Sequence, residues 1–519
     1  MRGEPTTFAQ AVWDRARRLP EDEVLRVPGH EVWTAGQLRY RAAVWAVALS
    51  DTVGRGDVVV TCVDAGPDAV ALTAAVSALG AVELPLGHDL PEDWAHHLVA
   101  TTAARVVVAS AHRAQGPLPA QLARRVGRPL HLLDGEHRTL PADDPEAHSL
   151  SPAELSPTAP ALIMATSGTT GRAKAALLPV GAPAGQARRV ARAMKYGPDD
   201  VLLSFFPWQH VNARHASLLP AIISGARVVM APRFSASGFL DLVRREQVTA
   251  FNFMGAVCMM LLAQPPTSRD RDHLLTKAYG GPAPARLVRE FRQRFGVVLR
   301  QAYACTELGD VAATPVDDLR PGAAGRILPD HQVRIVDESG REVADGTAGE
   351  ILVRPRRPEH GFLRYVGDAE ATRRAWAGPW FRTRDRGRLV DGWLRVEGRL
   401  GDVIRRRGVN IDPQHVEDVL LAHPAVAGAA AVAVPSELTE DEVLAVVVPR
   451  DGSRVTAEEL WSHCRASLPR ALRPRYLTFE AALPYTGTHK LDRAALRRRG
   501  VPHGVWDADS AAPETTEMS

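Results

Sequence analysis

The densest chemistry in the chain lies in Ala165-Thr166-Ser167-Gly168-Thr169-Thr170-Gly171-Arg172-Ala173-Lys174. Hydroxyl side chains and two glycines sit in a tight segment that ends on a lysine. Glycine permits unusual φ angles and close backbone approach, so such a loop can turn its N–H groups toward an anion. Lys174 adds a positive charge, and the whole predicts a cradle for a polyphosphate. It is not a Walker A loop, because Lys174 is followed by Ala175 and the glycine spacing differs. A glycine-rich surface turn would share this composition, so the rest of the chain must decide.

A phosphate cradle needs a strand to aim it and helices to bury that strand. The apolar run Ala161 to Met164 supplies the strand. Upstream, Thr7 to Arg18, Gly36 to Leu49 and Asp68 to Gly80 read as helices. Val58 to Cys62 and Arg105 to Val108 read as strands. This alternation predicts a parallel sheet with helical crossovers. Ala114 to Leu155, richer in Pro, His and acidic residues, reads as a connector. Val201 to Phe206 and Ala226 to Met230 continue the strands, and Phe239 to Gln247 reads as helical. Gln332 to Val336 and Glu350 to Val353, between turn signals, predict an antiparallel section. Asp412 with Pro413 opens a helix to about Ala422. Val426 to Val434 and Val443 to Val448 are strands, and Ala457 to Leu468 is helical. The expected fold is therefore α/β: a large N-terminal domain of parallel α/β subdomains plus a β section, and a small α+β C-terminal domain. The boundaries read as 1–397, a hinge at 398–402, a second domain at 403–500 and a flexible tail at 501–519.

Composition narrows the function classes. The chain has 519 residues, a net charge of +3 and 24% charged residues. That balance favours neither nucleic acid nor membrane partners. The most apolar region, Ala216 to Met230, contains Pro220, Gly225 and Arg227, so no membrane span is expected. Four scattered cysteines form no Cys-x-x-Cys pair, which argues against a zinc ribbon or a disulfide framework. No signal-peptide core opens the chain, and a cytoplasmic location is expected. Arg497-Arg498-Arg499 reads as solvated surface, and Arg405-Arg406-Arg407 as a basic cluster that could meet phosphates.

Further motifs follow the loop in order. Tyr303-Ala304-Cys305-Thr306-Glu307, Trp380-Phe381-Arg382-Thr383-Arg384-Asp385, Gly398-Arg399-Leu400-Gly401-Asp402 and Thr486-Gly487-Thr488-His489-Lys490, taken with the loop, resemble the adenylate-forming superfamily. The likeness is to its acyl-CoA ligase branch and covers nearly the whole chain. It implies ATP and Mg2+ as cofactors, with CoA as co-substrate. Thr166, Ser167, Gly168, Thr169, Thr170, Gly171 and Lys174 would hold the β- and γ-phosphates. Glu307 would ligate magnesium, since hard cations prefer carboxylate oxygens, and Thr306 would bond the α-phosphate. Gly280, Gly281, Pro282 and Tyr303 would flank adenine. Asp385 would accept from the ribose hydroxyls, with Arg399 beside it. Lys490 would bridge the substrate carboxylate and the α-phosphate, and Gly401 with Asp402 would form the pivot between two poses of the small domain. The Pro207-to-Asn212 segment resembles the family's substrate-pocket histidine region. It makes His210 a catalytic candidate and Trp208, Asn212, Met254, Gly255, Ala304 and Cys305 pocket candidates.

Four positions depart from the family pattern. Ala304 replaces the usual Gly, where a methyl group would shorten the acyl pocket. Arg384 replaces Gly before Asp385. Gly401 stands where Asp or Lys is usual. His489 replaces the Gly before Lys490, which together with His210-Val211-Asn212 leans toward carnitine-type and fatty-acyl-CoA ligases. The expected reaction is activation of a small, polar or aromatic carboxylate as acyl-AMP, then transfer to CoA or to a carrier-protein thiol. The alternatives are ATP-dependent activation of nitrite to diazotise an aromatic amine, and a non-catalytic adenylate-binding protein. A homodimer is left open.

Overall fold

The computed structural model describes residues 6–511, apart from 31, 88–89, 133–143, 167–173, 403, 407–408, 437–440 and 487–489. The chain divides into two compact units. One comprises residues 1–333 with 353–382, the other 334–352 with 383–519.

The first unit is built on strand–helix alternation. Thr7 caps the helix Phe8–Arg18 through a reciprocal box with Gln10, and Thr34 caps Ala35–Ser50 in the same way with Gln37. Pro67 and Pro117 each open a helix, where a missing N–H costs nothing. Among the described residues, one seven-stranded sheet runs in the order Arg364–Tyr365, Lys174–Pro179, Pro160–Thr166, Val82–Pro85, Val58–Cys62, Val106–Ala109, Leu130–Leu132. Its last five strands are parallel neighbours. Within a second sheet, Arg227–Met230, Val201–Ser204, Ala250–Phe253, Lys277–Gly280 and Leu299–Cys305 also pair in parallel. Val58, Val59 and Val60 exemplify the β-branched runs that such doubly covered strands need. The main core joins both layers, from Phe8 and Trp45 to Phe251 and Phe291.

The second unit, from Thr383 onward, holds the paired part of the hairpin Trp380–Val390 with Trp393–Arg399, in register from Asp385. A small α+β body follows. Its sheet contains Val426–Pro435, Asp441–Pro449, Tyr476–Phe479 and Trp506–Asp507. Helices Pro413–Ala422 and Ala457–Ser467 contribute Val416, Leu420, Leu460 and Cys464 to its core. Asp412 caps the first of these helices through the Gln414 N–H at 2.9 Å, as expected.

Three expectations are corrected. The connector at 114–155 contains the helix Pro117–Val126 and the sheet-edge strand Leu130–Leu132. Polar composition hid them, because an edge strand needs little apolar sequence. Residues 501–511 are not a flexible tail. Trp506 pairs with Leu477, its indole N–H donates to Glu458 at 2.7 Å, and Asp507 meets Arg475 at 3.2 Å. Packing of one tryptophan orders the segment; residues 512–519 lie outside the described set. Residues 383–397 also pack with the C-terminal residues, ahead of the expected break at 397. No helix among the described residues is long and apolar enough to cross a membrane.

Candidate active site

In the first unit, Thr166 ends one strand and Lys174 opens the next, and the two face each other across an antiparallel ladder. This pairing closes the base of the expected phosphate loop. Ser167, Gly168, Thr169, Thr170 and Gly171 lie outside the described residues. The adjoining strand puts Tyr365 opposite Ala176. The Lys174 Nζ then sits 5.1 Å from the Tyr365 ring centre, within cation–π range. The Tyr365 hydroxyl donates to Glu307 Oε1 at 2.7 Å. One phenol thus joins the loop lysine to the carboxylate expected to ligate magnesium.

Glu307 and Thr306 lie in the turn from Leu299–Cys305 to Gly309–Ala313. That turn is anchored from several sides. The Glu307 carbonyl accepts from the Phe362 N–H at 2.7 Å. Arg189 donates to Leu308 O at 3.2 Å and pairs with Asp330. Asp310 accepts from Gln186 at 2.7 Å and from the Tyr279 hydroxyl at 2.9 Å. Burial pushes the Asp310 carboxyl above its ordinary range, against the pull of Arg189. The turn is therefore pinned below, while Glu307 remains half-buried above. Glu307 is a hard oxygen donor held by a phenol, which suits a magnesium ion whose other ligands come from phosphate and water.

Gly280, Gly281 and Pro282 follow the strand Lys277–Gly280. Gly280 has φ +157°, and a Cβ there would lie 1.9 Å from the Phe253 carbonyl oxygen. A Cβ at Gly255 would lie 2.5 Å from the Pro282 oxygen. Two backbones therefore press together, and glycine is required at each position. Tyr303 is buried in the next strand, and a register irregularity after it turns Ala304 outward to an exposed position. Cys305 is half-buried.

On the substrate side, the His210 N–H closes a turn on Pro207 O at 3.0 Å. The chain then enters a π-helix, Asn212–Leu218, a wide turn common at functional sites. Asn212 accepts from Asn252 Nδ2 at 2.9 Å, and the same amide donates to Ala216 O and Ser217 Oγ. Met254 and Gly255 follow the Asn252 strand. Trp208 is fully buried, its indole N–H on Thr73 at 3.3 Å and the Arg214 guanidinium 4.9 Å over its ring. It packs the core here, and does not line an open pocket. Arg214 is itself buried, donating to Glu83 Oε1 at 3.0 Å and pairing with its second oxygen. Desolvation, then Arg214, push neighbouring His215 down to about 3, so it is neutral.

In the second unit, Asp385 is buried, its carboxylate 2.9 Å from Arg399 Nε. Arg399 also donates to Thr383 O at 3.1 Å. Arg384, in place of the usual glycine, keeps a left-handed backbone with φ +61°. Its side chain thus tolerates a conformation that costs an L-residue roughly 1–2 kcal/mol. Lys490 is exposed. Its N–H donates to Thr486 Oγ1 at 3.2 Å, and its carbonyl accepts from the Thr486 N–H at 2.8 Å. Gly487, Thr488 and His489 lie outside the described residues. Asp492 then caps the helix Arg493–Arg499.

One residue in each arginine cluster departs from expectation, while Arg405, Arg498 and Arg499 are exposed. Arg406 is buried against Glu442 at 2.5 Å, and also donates to Arg473 O at 2.8 Å. It is not free to meet a CoA phosphate. Arg497 donates to Asp402 at 2.7 Å and to Gly401 O at 3.2 Å. Sequence also missed Tyr365, Glu83 and Arg214. Only Glu83, an acid inside the apolar strand Val82–Pro85, carried a signal. Among the described residues, no cluster of three or more His, Cys, Asp or Glu side chains is arranged to hold a metal.

Residues 12–362 match the AMP-binding enzyme family, and 415–490 match the AMP-binding enzyme C-terminal domain. The chain is 34% identical over 351 residues to an indoleacetate–CoA ligase of Aromatoleum aromaticum, covering 66% of this chain and 68% of the relative. It is 32% identical over 496 residues to a feruloyl-CoA synthase of Amycolatopsis sp, covering 93% and 97%. The fold superposes on ATP-bound MatB from Rhodopseudomonas palustris with a TM-score of 0.86, at 24% identity over 95% and 98% of the two chains.

Proposed function

The chain belongs to the AMP-binding enzyme family, and we propose that it activates a small, polar or aromatic carboxylate with ATP and passes the acyl group to coenzyme A. In the first step a carboxylate oxygen attacks the α-phosphorus and pyrophosphate leaves. In the second, the thiol attacks the acyl carbon and AMP leaves. The observation that carries this reading is the Lys174–Tyr365–Glu307 array. It sets a cation beside the expected phosphate loop and an oxygen donor one phenol away. Magnesium held by Glu307 would neutralise phosphate charge. Asp385, oriented by Arg399, would accept from the ribose, and Tyr303 with the Gly280–Gly281 backbone would flank adenine. Lys490 would stabilise charge developing between carboxylate and α-phosphate, the kind of contribution that preorganised cations make. Residues 398–402 would serve as hinge and the segment from 403 through the Trp506–Asp507 strand as the mobile domain.

The named substrates of the two relatives are aryl-bearing acids, which supports an aromatic acyl group. The test is ATP-dependent pyrophosphate release with a panel of aromatic, short and polar acids, followed by mass spectrometry. A CoA thioester from one acid supports the reading. Pyrophosphate with nitrite and an aromatic amine, independent of CoA, would replace it with diazotisation. Release of no pyrophosphate by any member would overturn both.

A further inference from the structure

The expected pivot, Gly401, has no side chain, and a Cβ built there meets no atom within 4 Å. Side-chain packing at Gly401 therefore does not restrain it, and the local restraint is a turn in which the Asp402 N–H donates to Arg399 O at 2.9 Å. The segment is also gripped from elsewhere in the second unit. Arg497 Nη1 donates to Gly401 O at 3.2 Å and to Asp402 Oδ1 at 2.7 Å, with both side chains partly buried. A guanidinium suits this task because its planar fork can serve two acceptors at once.

The helix that bears Arg497 leads back to the expected catalytic lysine. Asp492, two residues after Lys490, caps it by accepting from the Ala495 N–H at 2.8 Å. The Asp492 N–H donates to Pro484 O at 2.9 Å, closing the lysine loop. One turn before Arg497, Arg493 donates to both oxygens of buried Glu417 at 2.7 Å. The helix is therefore clamped at Arg493, joined covalently to the Lys490 loop, and attached at Arg497 to the pivot.

We propose that Arg497 is a positioning residue that fixes the backbone state of Gly401–Asp402 and couples it to the Lys490 loop. It supplies from a distance the restraint that a side chain at the pivot would give. The proposal rests on the adenylation-then-thiolation reading, in which a hinge must hold each of two poses.

The experiment compares wild type with Arg497→Gln and Arg497→Lys. Pyrophosphate release is measured in the absence of CoA, and thioester formation is measured from preformed acyl-adenylate. Amide hydrogen exchange at Leu400 and Asp402 is followed separately, without substrates. Arg497→Gln should change the ratio of the two half-reaction rates roughly two- to fivefold, the scale of a partly exposed ion pair. It should also speed exchange at those amides by a similar factor, while the melting temperature stays near wild type. Arg497→Lys should lie between the two. An unchanged ratio with unchanged exchange would overturn the proposal, as would equal losses in both steps with a lowered melting temperature. If wild type releases no pyrophosphate with any acid, the functional reading fails, while the exchange arm still decides the restraint.

Discussion

The Tyr365 hydroxyl donates to Glu307 at 2.7 Å while its ring faces the Lys174 ammonium at 5.1 Å. A single side chain thereby fixes the carboxylate expected to ligate magnesium relative to the base of the phosphate loop. Tyr365→Phe keeps the ring and removes only the hydrogen bond. A hydrogen bond to a charged group is worth about 1.5–3 kcal/mol. The substitution should therefore lower kcat/KM for magnesium-ATP by about tenfold or more and raise the magnesium requirement. Unchanged kinetics across a magnesium titration would remove Tyr365 from the site.

Lys490 is exposed and held by backbone pairing with Thr486. Lys490→Ala should lower pyrophosphate release on the order of 10²–10³-fold, the scale of a lost preorganised charge. ATP binding, measured by calorimetry, should persist, because the phosphate and ribose candidates are untouched. Normal pyrophosphate release by this variant would contradict the assigned role.

Arg214 and Glu83 form a buried pair beneath the Pro207-to-Asn212 segment. Glu83→Ala leaves the guanidinium buried and uncompensated, and should destabilise the first unit by about 3–5 kcal/mol. Glu83→Ala combined with Arg214→Met should recover much of that loss. Thermal unfolding of the single and double variants measures the difference; a single variant as stable as wild type would show the pair to be inessential.

Burial pushes the Asp412 carboxyl up to about 6, reinforced by Glu397 and Asp418 and opposed by the Gln414 N–H and Arg493. Between the ordinary carboxylate value and about 6, the folded chain keeps a proton that the unfolded chain has released. Stability from this site is therefore greatest at low pH and falls as pH rises through that window. Asp412→Asn preserves a good cap without a charge. It should be most stabilising, relative to wild type, above pH 6, with the advantage shrinking toward pH 4. Melting curves of the two proteins across that range check the slope, and a parallel pair of curves would refute it.

Local pattern was enough to read the alternating strands and helices, the Asp412–Pro413 helix start and the order of the motifs. These depend on neighbours within a few residues, where periodicity and capping chemistry act. Sequence also marked Gly280 as part of a special loop, and structure gave the reason, an approach of 1.9 Å that any Cβ would make to Phe253 O. Tyr365, the Arg214–Glu83 pair and the Arg497 grip on Gly401 could not be read that way. Their partners lie 58, 131 and 96 residues apart in the chain. Residue type fixes what a side chain can bond to. Which distant group it meets, and whether Arg406 ends in solvent or against Glu442, is decided when the sheets and helices pack and remove water from one set of charges and not another.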